Sequence, residues 1–121
     1  PTTGVSPTIT LPVGATTVIL TVTDSDGATA TDVVAINIGG NTAPTASITS
    51  PASGSVSQLG GLVTFTGSAA DVEDGPLTGA ALVWTSSLDG PLGTGGSLPT
   101  NALTAGTHTI TLTATDSGLQ T

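Results

Sequence analysis

The sequence predicts an all-β protein of the β-sandwich class. Apolar and polar residues alternate strictly in several short segments, as in THTITLTAT at 107–115. Turn residues separate these segments, since the chain contains 17 glycines and 8 prolines. The segments themselves are rich in Val, Ile and Thr, which favour strands. Short alternating strands with turn signals between them are typical of two packed sheets.

One acidic turn occurs twice in the chain. TVTDSDG and TATDSG align with a constant offset, which pairs Asp24 with Asp116 and Gly14 with Gly106. Each of these pairs lies 92 residues apart, as 116 lies from 24. A fixed period of this size predicts tandem domains and not a short solenoid repeat.

The alternation also predicts which face of each strand is buried. In 107–115, apolar residues occupy one face and threonines the other. The first copy, 92 residues earlier, has apolar residues at the same positions, so both copies agree on the buried face. A further strand, 28–38, follows the first turn. The residues predicted to face a core are Val18, Leu20, Val22, Val34, Ile36, Ile38, Ile110, Leu112 and Ala114.

On this alignment the chain is out of phase with its domains. Residues 1–38 are predicted to be the C-terminal strands of one repeat, and 39–43 a linker. Residues 44–121 are predicted to form a second repeat that lacks its final strand. Its strands are predicted at 44–50, 61–67, 80–87 and 107–115, with Val63, Phe65, Leu82 and Trp84 inward, a turn at Asp89–Gly90 and no assignment for 91–104.

Several segments resemble those of a known family. GATTVILTVTDSDGATATDVVAINI resembles the C-terminal half of a PKD domain or a related bacterial immunoglobulin-like repeat. LVWTSSLDG and GTHTITLTATDS are similar to other parts of the same surface-protein repeats, although the PKD signature WDFGDG reads WTSSLDG here. The resemblance implies tandem immunoglobulin-like β-sandwiches in an extracellular, cell-surface protein. It also implies that Trp84 belongs to the core.

The charge inventory excludes several functions. The chain has eight acidic residues and no Lys or Arg, which gives a net charge of −8. A surface without cations does not bind phosphates, so neither nucleic acid nor an anionic membrane is an expected partner. No segment has the roughly 18–20 apolar residues of a membrane span. No catalytic residues are predicted, because G-x-S-x-G is absent and His108 is expected to be an ordinary surface residue.

Two acidic segments predict a calcium site. In immunoglobulin-like topology, DVEDG at 71–75 and TDSG at 115–118 lie at the same pole, beside the linker. Asp71, Glu73, Asp74 and Asp116 can therefore converge, with Asn41 or linker carbonyls as further oxygen ligands. Carboxylate and amide oxygens suit Ca²⁺. The alternative is a pair of solvated turns, in which Asp accepts hydrogen bonds from its own backbone.

These observations predict a non-catalytic structural spacer or building block of an extracellular repeat protein, such as an adhesin, a stalk or a surface fibre. Its expected partners are adjacent repeats or neighbouring copies, joined by β-strand pairing beside 107–115. The alternative is a carbohydrate-binding accessory module of a secreted hydrolase. Such a module needs exposed aromatic residues, and the chain has one Trp, one Phe and no Tyr.

Overall fold

The computed structural model describes residues 6–121, so the first five residues of the predicted 1–38 segment lie outside it. The chain divides into two compact units, with the boundary between Gly40 and Asn41. Both contain antiparallel sheet, which confirms the all-β prediction. The helical structure in the described part is one short 3₁₀ turn at Gly79–Ala81, and no helix there is long and apolar enough to span a membrane.

The first unit is a two-stranded hairpin. Strand β1 (Gly14–Thr23) pairs with β2 (Thr29–Ile38). Residues directly opposite in an antiparallel pair share a face, and Val18 lies opposite Val34. The predicted apolar face therefore exists. Its side chains are exposed, 62% in the case of Leu20, because nothing in the described part of this unit covers them.

The second unit contains two antiparallel sheets, consistent with a β-sandwich. The strands are β3 (Thr45–Ser50), β4 (Val63–Asp71), β5 (Gly75–Leu77), β6 (Leu82–Ser86), β7 (Gly90–Thr94), β8 (Ser97–Thr100) and β9 (Ile110–Ala114). In one sheet, β4 pairs with β3, β5 and β8. In the other, β6 lies between β7 and β9.

The core of this unit is built from both sheets around Trp84. The indole is fully buried, and its ring centroid lies 5.7 Å from that of Phe65. Its Nε1 donates to the carbonyl oxygen of Gly95 at 2.7 Å, so the one polar atom of the side chain has a partner. The prediction that Trp84 belongs to the core is confirmed. The other buried apolar residues are Ala69, Leu82, Leu112 and Ala114.

The structure differs from the predicted strands mainly in the unassigned stretch 91–104. It contains most of β7 and all of β8, whose sequences GPLGT and SLPT show no long alternation. Their extended form follows from pairing with β6 and β4, which a local pattern does not reveal. Strand β4 also starts two residues later than predicted and continues to Asp71, while β9 is shorter than predicted.

Candidate functional site

The predicted acidic loop at 71–75 is a tight turn organised by Asp71. Its Oδ1 accepts hydrogen bonds from the backbone N–H groups of Glu73 and Asp74, both at 2.8 Å. This is an Asx-type turn, in which a carboxylate replaces backbone acceptors. It reverses the chain, so that Gly75 pairs with Asp71 at the start of β5. The Asp71 side chain is thereby buried, with the residue 7% exposed.

The next two carboxylates reach distant segments. Asp74 accepts from the backbone N–H of Ser117 at 2.6 Å and from its hydroxyl at 2.9 Å. Glu73 Oε2 accepts from the Thr42 hydroxyl at 2.7 Å and from its N–H at 3.3 Å. The 71–75 turn is therefore tied both to the turn after β9 and to the first residues of the second unit.

Asp116 connects the same segments from the other side. It is 4% exposed; its Oδ1 accepts from Gln120 N–H, and its Oδ2 from the Asn41 side-chain amide, both at 2.8 Å. Gln120 in turn donates from Nε2 to the Asn41 carbonyl oxygen at 3.3 Å. All four carboxylates predicted as ligands thus lie in one hydrogen-bonded network. We call this network the polar junction: residues 41–42, 71–75 and 116–120.

The polar junction fits a calcium ion only in part. No group of three or more His, Cys, Asp or Glu residues in the described range is arranged to hold a metal. Each of the four carboxylates already accepts a hydrogen bond from the protein. One oxygen differs, because Asp71 Oδ2 is buried and accepts no hydrogen bond from the protein. A buried oxygen without a donor is unusual and is suited to a hard cation. The calcium site stays a prediction.

Asp71 should make the stability of the second unit depend on pH. The N–H of Asp74 lowers the pKa of Asp71 below its ordinary value of 3.8; burial opposes this effect, and the Glu73 N–H reinforces it. A lowered folded-state pKa contributes stability above the unfolded-state pKa, which is lost as pH falls through the folded value. We expect Asp71→Asn to reduce the loss of stability below about pH 4, the ordinary range of a carboxyl.

Urea midpoints measured at pH 7 and pH 3 would check this expectation. Asp26→Asn, an exposed aspartate in the other unit, is the matched control and should leave the acid dependence of the second unit unchanged. The same acid dependence in wild type and Asp71→Asn would contradict the assigned role.

A second polar cluster surrounds His108. Ser86 is buried, and its Oγ accepts from the N–H groups of Leu88 and Asp89 at 3.2 and 3.3 Å. His108 Nε2 lies 2.8 Å from the Thr104 carbonyl oxygen, which can only accept, so Nε2 carries the hydrogen. Nδ1 lies 2.8 Å from the Ser86 hydroxyl oxygen, whose hydrogen it can accept in the tautomer with the hydrogen on Nε2. The prediction of an ordinary surface residue is wrong, since this side chain is only 11% exposed.

This cluster contains Ser, His and Asp without the geometry of a catalytic triad. Ser86 and Asp89 both face Nδ1 of the ring, with Asp89 Oδ2 at 3.5 Å. A triad places the serine on one ring nitrogen and the acid on the other. Here the second nitrogen is held by a backbone carbonyl. The alternation at 107–115 places His108 on the same face as Ile110, Leu112 and Ala114, so its burial agrees with that alternation, and the surface prediction did not follow it.

Comparison of the chain with protein-family models, with curated proteins and with solved structures found no match. The geometry described above is therefore the basis for assigning a function.

Proposed function

We propose that the chain is a structural spacer or building block of an extracellular repeat protein, such as an adhesin, a stalk or a surface fibre, with no catalytic activity of its own. The observation that carries the proposal is the use made of the polar side chains. The carboxylates of the polar junction and the Ser86–His108 cluster form hydrogen bonds that fix loops to one another. A small module with fixed loops adds length without requiring chemistry.

The strand order supports an immunoglobulin-like arrangement of the second unit. β3, β4 and β8 correspond to strands A, B and E of such a fold, and β7, β6 and β9 to C′, C and F. Trp84 on β6 then occupies the position of the buried Trp on strand C. Modules of this type, joined in tandem, suit the proposed spacer.

The rival function, carbohydrate binding, lacks its usual recognition group. Aromatic rings that stack on sugars must be exposed to solvent. The chain has two aromatic residues in all, Trp84 with no exposed surface and Phe65 with 4%. Both contribute to the core, which favours the spacer over the binding module.

The spacer proposal can be tested by placing one, two or four copies of the chain between a surface anchor and a reporter epitope. We expect epitope height, measured by fluorescence interference, to rise by a constant increment per copy. Copies carrying Trp84→Ala are the control, because a module that cannot fold should not give a regular increment. A height independent of copy number would contradict the proposal. So would a Trp84 emission maximum that moves when a polysaccharide is added.

We also propose that calcium binds to Asp71 Oδ2 together with oxygens of Glu73, Asp74 and Asp116. Binding to the folded state alone stabilises by roughly 2.7 kcal/mol when calcium is about 100-fold above Kd. We expect the melting temperature to be higher in millimolar calcium than in EDTA. Asp71→Asn with Asp74→Asn should remove this difference, and Asp24→Asn in the first turn should retain it. Identical wild-type melting curves in calcium and in EDTA would contradict the calcium proposal.

A further inference from the structure

The first acidic turn connects β1 to β2 through hydrogen bonds centred on Asp24. Its N–H donates to the Ala28 carbonyl oxygen at 2.9 Å, and its Oδ1 accepts from Ala28 N–H at 2.8 Å. Gly27, with φ of 86°, donates to the Asp24 carbonyl oxygen at 3.2 Å. This arrangement sends the chain back along β1 as the strand β2.

The second acidic turn repeats these bonds 92 residues later. Asp116 N–H donates to the Gln120 carbonyl oxygen at 3.1 Å, and its Oδ1 accepts from Gln120 N–H at 2.8 Å. Leu119 donates to the Asp116 carbonyl oxygen at 3.2 Å and has φ of 67°, which is uncommon for a leucine. The turn after β9 therefore has the form of the hairpin turn after β1. A return strand in the second unit would lie beside β9.

Half of the backbone hydrogen-bonding groups of β9 point to the side on which such a strand would lie. Thr115 N–H donates to Ala81, and Thr109 accepts from Ser87 N–H, so odd-numbered residues of this segment face β6. Orientation alternates along an antiparallel strand, so the N–H and C=O groups of the even-numbered residues point away from β6. These residues are Ile110, Leu112 and Ala114, and within residues 6–121 no strand lies beside β9 on the side away from β6.

In β1, too, it is the even-numbered residues whose backbone groups point to this side of the strand. Asp24 and Ala28 form a hydrogen-bonded pair, so the even-numbered residues of β1 direct their N–H and C=O groups to β2. These residues, Val18, Leu20 and Val22, are the counterparts of Ile110, Leu112 and Ala114. The open edge of β9 therefore presents the same arrangement of backbone N–H and C=O groups that β1 presents to β2.

Building on the proposed structural role, we propose that the open edge of β9 accepts residues 29–38 from a second copy of this chain. The register of β1 with β2, moved by 92 residues, places Val34 of the second copy opposite Ile110 and Ala30 opposite Ala114. Gln120 bonds to Asp116 as Ala28 bonds to Asp24 in the first turn. The incoming strand therefore begins one residue after Ala28, at Thr29.

A second copy suits this edge because the apolar side chains of its β2 are largely exposed within its own hairpin. A two-stranded hairpin is marginal in water, and Val34 and Ile36 are 59% and 41% exposed. Beside β9, Val34 would extend the face on which Leu112 packs against Trp84 and Phe65. Donor and acceptor are different parts of each copy, so the contact is heterologous and continues head to tail, as a fibre requires.

Release of β2 leaves β1 without its partner, so association between copies competes with pairing inside each copy. A free peptide has no such competition. We therefore expect a peptide of residues 29–38, TATDVVAINI, to bind the full chain at lower concentration than that at which copies associate.

Fluorescence anisotropy with a labelled peptide tests the acceptor edge. Only even-numbered peptide residues should hydrogen-bond to β9, so a methyl group on the Val34 nitrogen should weaken binding at least tenfold. The same methyl group on Val33 should leave binding unchanged. In the full chain, Ile110→Pro removes an N–H from the open edge, whereas Ile110→Ala loses the same side chain and keeps that N–H. We expect peptide binding by Ile110→Ala and little by Ile110→Pro.

Sedimentation velocity of the full chain tests the occupant. We expect head-to-tail oligomers that grow with protein concentration and shorten when excess 29–38 peptide is added. Absence of peptide binding, or equal binding of the two methylated peptides, would overturn the acceptor edge. If the chain binds the peptide but stays monomeric at millimolar concentration, the proposal that a second copy supplies the strand is wrong. The spacer proposal would survive both results, because it depends on epitope height.

Discussion

Replacing Trp84 with Ala should lower the free energy of unfolding of the second unit by about 3–5 kcal/mol, the usual cost of deleting a buried large aromatic. The indole has no exposed surface, packs against Phe65 and donates to the Gly95 carbonyl oxygen. Both sheets contribute to the core around it, so the cavity would lie between them. A loss of this size is a large part of the stability of a small domain, and the variant should be largely unfolded at 37 °C.

Urea denaturation followed by far-UV circular dichroism measures this loss. Val56→Ala is the control, because Val56 is 97% exposed and a surface truncation should change the free energy by no more than about 0.5 kcal/mol. A Trp84→Ala variant that loses less than the cost of a typical point mutation, about 1 kcal/mol, would show that the core is not centred on this residue.

Gly67→Ala should strongly destabilise the second unit. A Cβ at this position would lie 2.6 Å from Leu112 Cδ2, 2.8 Å from the Ser47 carbonyl oxygen and 3.1 Å from Trp84 Cη2. The leucine can rotate, but the carbonyl belongs to the paired strand β3 and the indole is held on both sides. Overpacking of this kind costs about 1–3 kcal/mol.

The comparison variant is Gly39→Ala, where an added Cβ meets nothing within 4 Å. Thermal melts of the two variants should therefore differ, with a lower midpoint for Gly67→Ala only. Equal midpoints would mean that β3 and β6 lie further apart than the structure places them.

Much of the fold could be predicted because its signals are local and repeated. The alternation around Leu20 and Leu112 assigns the same buried face in two copies; Leu112 is buried, whereas Leu20 is 62% exposed. The place of Trp84 followed from the alternation of its strand. Strands β7 and β8 could not be predicted, since their short segments containing Gly and Pro show no alternation and become strands through pairing with β6 and β4.

The polar junction, too, could be predicted only in part. Topology alone suggested that the two acidic turns and the linker lie at one pole. The partners of each carboxylate could not be predicted, because Thr42 and Ser117 are 31 and 43 residues away from Glu73 and Asp74. The left-handed conformation of Leu119 was also hidden, since the glycine signal of the first turn lies at Gly27 and its counterpart is not glycine.

The claim that the second acidic turn leaves β9 ready to accept a strand can be tested by amide hydrogen exchange, measured residue by residue by NMR. In dilute full-length chain we expect rapid exchange at Ile110, Leu112 and Ala114 and slow exchange at Thr111 and Thr113, which face β6. Adding the 29–38 peptide should then protect the three rapid amides. Equal protection at all five positions in the dilute chain, or no change on adding the peptide, would contradict the account.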